Sequence, residues 1–214
     1  MSLTLYFHPL SSYCQKVLIA LYEAGTPFET VVVNFADPSS AATFRALWPV
    51  GKMPVLRDTV RNRTVPESSI IIEYLGQHYP RGTALIPADP DLALRTRLAD
   101  RFYDLYVHDP MQRIIGDRLR PADNKDPYGV ERAEATLRSS YDLIDAEMAS
   151  RPWAAGDAFS LADCASAPPL FFASKLVPFG ERHNLSAYFR RLGRRPSVAR
   201  AFNEAEPYLK FFPG

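Results

Sequence analysis

Leu3, Leu5 and Phe7 alternate with Thr4 and Tyr6, the period of two expected of a strand with one buried face. His8-Pro9 ends the run. From Ser12 the period lengthens: Cys14, Val17, Leu18, Leu21 and Tyr22 recur at three- and four-residue steps, which predicts an amphipathic helix closed by Gly25. Ser12 and Gln15 have the spacing of a capping box. Residues 27–35, β-branched and bounded by prolines, predict a second strand, and residues 40–47 a short helix. Residues 53–56 and 61–65 predict two more strands, Pro54 belonging at a strand start or edge because it lacks an N–H. At Pro66-Glu67-Ser68 the chain turns into a helix whose buried stripe is expected to be Ile70, Ile71, Tyr74 and Leu75.

Residues 79–90 hold three prolines and a glycine without a period and read as a linker. Beyond them every pattern is helical. Leu94, Leu98, Phe102, Leu105 and Tyr106 stripe one helix that Pro110 is expected to kink or end, with a polar loop at 116–128. Val130, Ala133, Leu137, Tyr141, Ile144 and Met148 stripe a second. Ser160-Leu161-Ala162-Asp163 opens a third with a capping box, which Pro168-Pro169 should bend or terminate. Leu185, Tyr188, Phe189 and Leu192, then Val198, Phe202 and Ala205, mark two more, separated by Arg194-Arg195-Pro196. The α/β portion and the helical portion thus form an α/β plus all-α chain.

The 214 residues, 47% hydrophobic, suffice for one large or two small cores. Lys+Arg number 25 against 24 Asp+Glu, a formal charge of +1, which removes the electrostatic argument for nucleic acid or an anionic membrane as partner. No run approaches the ~18 apolar residues of a membrane span, and the start of the chain lacks a basic leader. Cys14 and Cys164 form no redox dithiol or ligand pair, which favours a reducing compartment. A soluble, cytoplasmic protein is expected. Candidate chemistry falls where the first strand meets the first helix, because the unpaired N–H groups and positive pole of a helix start suit an anion such as a thiolate. Ser11 and Ser12 stand there.

P-L-S-S-Y-C at 9–14, G-K-M-P-V-L at 51–56 and P-E-S-S-I-I-I-E-Y-L at 66–75, with F-S-L-A-D at 159–163, resemble in order and spacing the cytosolic glutathione transferase superfamily. The likeness is to its serine-type branches, bacterial-like or zeta- or theta-like, and covers nearly the whole chain. It implies a thioredoxin-like glutathione-binding domain with a four-stranded mixed sheet over 1–80, a linker over 81–90 and an all-helical substrate domain over 91–214. It also implies glutathione as co-substrate, no metal, an electrophilic and mostly apolar second substrate, a role in detoxification and a homodimer. A glutathione-dependent peroxidase, reductase or isomerase on the same fold stays open as an alternative, as does a noncatalytic ligand carrier or interaction module. The isomerase reading draws on the Ser-Ser pair, but Tyr13 and Gln15 stand where the zeta branch has cysteine and tryptophan.

By position the resemblance assigns the activating serine to Ser11, or to Ser12 if the loop before the helix slips by one residue. Lowering a thiol pKa by two units takes about 2.7 kcal/mol of preference for the anion. A charge-assisted hydrogen bond contributes about 1.5–3 kcal/mol and a helix terminus about 0.3–1, so together they suffice. The serine is then a donor, neither base nor covalent nucleophile. The resemblance further implies that Met53, beside a cis Pro54, pairs with the cysteinyl segment of glutathione, and that Glu67 and Ser68 take its γ-glutamyl ammonium and carboxylate. Lys52 would meet the glycine carboxylate, and is otherwise a solvated turn lysine. Cys14 sits on the apolar stripe and reads as core. Leu10, Tyr103, Tyr106, Val107 and Phe211 are candidates to line the second pocket, with His8 and His108 beside it or uninvolved.

Overall fold

The computed structural model describes residues 2–82 and 84–213. Thr83, inside the expected linker, and Met1 and Gly214, at the ends of the expected domains, lie outside the described residues. Strand β1 (Leu3–Phe7) leads into helix α1 (Ser12–Ala24), then β2 (Glu29–Val32), α2 (Pro38–Leu47), β3 (Val55–Asp58), β4 (Arg63–Pro66) and α3 (Ser68–His78). The four strands lie in the order β2-β1-β3-β4, with β1 parallel to β2 and antiparallel to β3, and β3 antiparallel to β4. Period-two alternation sorts the faces. Leu3, Leu5, Phe7, Leu56 and Val65 join α1 and α3 in the main core, whereas Tyr6 and Val55 pack with Val33 and with Phe44 of α2 on the other side. Gly25 closes α1 in the left-handed conformation, φ +61°, that glycine adopts without cost.

Side-chain phase departs from the sequence pattern on α1 and α3. Ser11, not Ser12, is the N-cap of α1: its Oγ accepts from Cys14 N at 3.4 Å, while Ser12 is buried inside the first turn. On α3 the buried apolar residues are Ile71, Ile72 and Leu75, Tyr74 is half-buried, and Ile70 points outward at 54% exposure. An apolar run longer than the buried stripe leaves the phase to be set by the sheet beneath it.

The helical part comprises α4 (Pro90–Phe102), a π-helical segment (Tyr103–His108), α5 (Asp109–Leu119), α6 (Pro127–Met148), α7 (Leu161–Leu176), α8 (His183–Gly193) and α9 (Pro196–Ala205). The expected inward stripe of the first of these faces out: Leu94, Leu98, Leu105 and Tyr106 are all more than half exposed. Its buried side carries Ala93, Thr96, Asp100 and then Asp104 and Val107. Pro110 does not end the helix: it lies in the first turn of α5, just after the π segment, and the hydroxyl of Ser140 on α6 lies 2.9 Å from Tyr106 O and 2.8 Å from Thr136 O of its own helix. The helix therefore runs on through residues 116–119, which the sequence pattern assigned to a loop. Pro168 and Pro169 likewise lie inside α7, surrounded by its most buried stretch. Packing holds that helix through a site where local preference alone would break it. Among the described residues no helix is long and apolar enough to cross a membrane.

Candidate active site

Three chain segments meet at one cavity of about 570 Å³. From α1 comes Tyr13; from the turn before β3 come Lys52, Met53 and Pro54; from the start of α3 come Glu67 and Ser68. These include all five residues expected to bind glutathione. The Met53-Pro54 peptide bond is cis, as the resemblance implied, and Pro54, immediately before β3, is buried. Glu67 precedes α3 at φ +69°, ψ +118°, a region that non-glycine residues rarely occupy. Such a conformation costs about 1–3 kcal/mol and marks a place where the surroundings dictate side-chain direction. Its side chain makes no cap bond and lines the cavity. Ser68, in the first turn of α3, is buried.

The two serines of α1 are told apart by solvent and by bonding. Ser11 is half-buried, accepts one long bond as a cap and bears on the Cys14 thiol through its hydroxyl; it stands outside the residues that line the cavity. Ser12 Oγ is buried and has no hydrogen-bond partner. Gln15, expected to reciprocate with it, instead donates Nε2 to Pro9 O at 2.8 Å. Cys14 is fully buried, and burial pushes its thiol up to about 12 against smaller opposing effects from the Ser11 hydroxyl and the His8 backbone. It is a core residue, as its place on the stripe implied.

The residues proposed from sequence for a second pocket are not gathered into one cavity. Tyr103 and Val107 are buried in the core. Tyr106 lies on the exposed outer face of the π segment, beside Phe102 and Leu143 in a separate shallow cleft. Phe211 is 69% exposed on the tail, and Leu10 is half-buried against the core. His8 faces Tyr208 edge-on at 5.5 Å, and its Nδ1 accepts from Leu10 N at 3.2 Å. His108 is buried with its ring 4.0 Å from that of Tyr13. Burial, and then repulsion from Lys16, pull its imidazole down to about 3.

Sequence reasoning missed the far wall of the cavity. Ser69 and Glu73 of α3, Arg97, Asp100 and Arg101 of α4, and Asp104 of the π segment line it. Behind them Lys16 is buried, its Nζ 2.5 Å from Asp100 Oδ1 and 3.0 Å from Asp104 Oδ2. Burial raises the Asp104 carboxyl above its ordinary range, and the Lys16 ammonium opposes that rise. The available signal was a lysine in a helix otherwise apolar nearly all round, together with two aspartates four residues apart on a later helix. A buried lysine needs partners, and those aspartates are spaced to supply them.

A cis-proline just before β3, a serine-capped helix start and a second helix start presenting Glu67 and Ser68 define a thioredoxin-like, peptide-thiol-binding class of protein with an appended helical bundle. Residues 5–83 match the glutathione S-transferase N-terminal domain family and residues 127–200 the glutathione S-transferase C-terminal domain family. The chain is 26% identical over 198 residues to the glutathione S-transferase GstB of Escherichia coli, covering 92% of this chain and 95% of that protein. It is 28% identical over 222 residues to glutathione S-transferase F13 of Arabidopsis thaliana, covering 100% and 99%. A solved glutathione S-transferase of Methylobacterium radiotolerans, in complex with glutathione sulfonate, superimposes with a TM-score of 0.82 at 30% identity, with 94% of each chain covered. The chain belongs to the cytosolic glutathione transferase superfamily.

Proposed function

We propose that this glutathione transferase holds glutathione in the cavity between α1, β3 and α3 and delivers its thiolate from the Ser11 hydroxyl to an electrophilic, mostly apolar small molecule. The observation that carries the reading is the convergence of Lys52, Met53, Pro54, Glu67 and Ser68 on one cavity beside the first turn of α1. Its chemistry suits the tripeptide. Glu67 offers a carboxylate to the γ-glutamyl ammonium, Ser68 and the helix start offer donors to its carboxylate, and Lys52 is an exposed cation for the glycine end. Ser11 is favoured over Ser12 because it is half-buried where Ser12 is buried, and because it stands at the cap, two residues before the cavity-lining Tyr13. The sulfonate analogue seated in the Methylobacterium relative supports glutathione as the co-substrate. The protein is to be loaded on immobilised glutathione and assayed with a generic aryl halide. Retention and conjugation are expected; failure to bind would sink the proposal, and binding without conjugation would favour a carrier or a specialised substrate.

The working division is a glutathione-binding domain over 1–80, a linker over 81–90 and a substrate domain over 91–214. A homodimer completes the reading, supported by the outward row Leu94, Leu98, Leu105 and Tyr106 with Leu143 on α6, and the two free cysteines suit the cytoplasm. A row of that length is more apolar surface than a lone soluble helix face carries. Leu98→Glu is expected to yield a monomer by analytical ultracentrifugation; an unchanged sedimentation coefficient would place the contact elsewhere.

A further inference from the structure

Lys16 is the only lysine or arginine among the described residues that is fully buried. It lies one turn beyond Ser11 on α1 and reaches three other elements. Its ammonium donates to Ser69 Oγ of α3 at 3.0 Å, contacts Asp100 of α4 at 2.5 Å, and donates to both oxygens of Asp104 in the π segment at 3.1 and 3.0 Å. Ser69 Oγ in turn donates to Asp100 Oδ2 at 2.8 Å and accepts from Arg101 at 2.6 Å. Arg101 also pairs with both aspartates. Two cations thus balance two carboxylates, and the Ser69 hydroxyl is engaged as donor and as acceptor.

This cluster ties the two helix starts that the site requires. Ser11 opens α1; Glu67 and Ser68 open α3, and Ser69 is the next residue along. A tripeptide held by its thiol at one start and its γ-glutamyl end at the other can satisfy both only if their separation is fixed, since misplacement by about 1 Å can cost 10²-fold. Stability alone does not account for the cluster, because well-packed apolar side chains commonly hold such an interface as well or better than a buried ion pair. We propose that Lys16 is a positioning residue for glutathione, setting the start of α3 against the start of α1 through Ser69, Asp100 and Asp104. It touches no substrate itself. The inference rests on the glutathione reading of the cavity.

The test is a double-mutant cycle of Lys16→Met and Ser69→Ala, with Ser69→Thr as the conservative rescue. Glutathione Kd is read by calorimetry, and KM and kcat with an aryl halide. Lys16→Met is expected to raise glutathione Kd and KM about tenfold and Ser69→Ala several-fold, with the double variant well short of the product of the two, because residues of one network couple. kcat at saturating glutathione and the absorbance-monitored thiolate pKa should stay near wild type, and Ser69→Thr should restore binding. A variant that merely loses folded protein lowers kcat and leaves KM alone, so that pattern overturns the proposal, as do fully multiplicative losses or wild-type affinity in folded Ser69→Ala. If Lys16→Met does not fold, Asp104→Asn with Ser69→Ala runs the same cycle with the same criteria. Wild-type protein that does not bind glutathione condemns the functional reading itself, before any substitution is made.

Discussion

Two helix starts in this molecule are capped by serine and differ in every consequence. At α7, Ser160 and Asp163 form a closed, buried box. The Asp163 carboxylate accepts from Ala154 N at 2.8 Å, Ser160 N at 2.9 Å, Ser160 Oγ at 3.2 Å and Tyr188 Oη at 2.7 Å. Burial pushes its carboxyl up to about 6 in spite of those bonds. At α1, Ser11 caps with one 3.4 Å bond, no acidic partner stands in the first turn, and the residue is half-buried, two positions before the cavity-lining Tyr13. A saturated cap has nothing left to offer a ligand. An unsaturated one keeps a donor, a helix pole and access, the ingredients for holding an anion. The difference separates architecture from chemistry within a single local motif.

The comparison breaks most violently at Asp163. Asp163→Ala leaves the buried N–H groups of Ala154 and Ser160 without their acceptor, each costing about 1–3 kcal/mol, and leaves the Tyr188 hydroxyl with Ser166 alone, against a total stability of about 5–15 kcal/mol. Insoluble or unfolded protein is expected, and a cooperative melt within a few degrees of wild type would show that the box is dispensable. Ser11→Ala should do the reverse. Loss of the cap costs about 1 kcal/mol, while loss of the thiolate donor lowers kcat/KM about 10²-fold; a thiolate pKa of bound glutathione unchanged from wild type would take the role away from Ser11.

A smaller effect concerns His108, held neutral against Tyr13. Its imidazole titrates near 6.5 unfolded and about 3 folded, so between those values the unfolded chain binds the extra proton. The stability that its burial contributes is complete above pH 6.5 and is lost as the pH falls towards 3, at up to about 1.4 kcal/mol per pH unit. Melting of wild type and His108→Gln at pH 7 and pH 5 should show the shallower acid loss in the variant; parallel losses would contradict the assignment. The least change is expected at Ser12→Ala. Removing a buried hydroxyl that has no partner should leave stability the same or slightly higher and kcat/KM within about threefold, and a 10²-fold loss there would transfer the donor from Ser11 to Ser12.

Much of the α/β half was legible because its signals are local. Alternation in Leu3–Phe7, Gly25 as a stop and the motifs around Met53-Pro54 and Glu67-Ser68 each depend on residues adjacent in the chain. The phase of long apolar stretches was not legible. Leu94, Leu98, Leu105 and Tyr106 make as good a stripe as Ala93, Thr96, Asp100 and Asp104 make a poor one, yet the second set is buried. Lys16 decides it, since a buried ammonium draws in the carboxylates that neutralise it. Pro110, expected to kink or end the helix, stands where the π segment passes into α5, and the helix continues beyond it packed on α6, whose Ser140 lies thirty residues later in the chain.

By itself the sequence determined the order of the α/β elements, the Ser160 capping box and the motif residues at the turns, because propensity, periodicity and turn chemistry act over a few residues. Only the tertiary structure decided which face of each helix is covered, which of Ser11 and Ser12 is accessible, and that Lys16, Ser69, Asp100 and Asp104 form one cluster. Burial and charge pairing are properties of what lies opposite a residue, and what lies opposite is fixed only when distant segments meet.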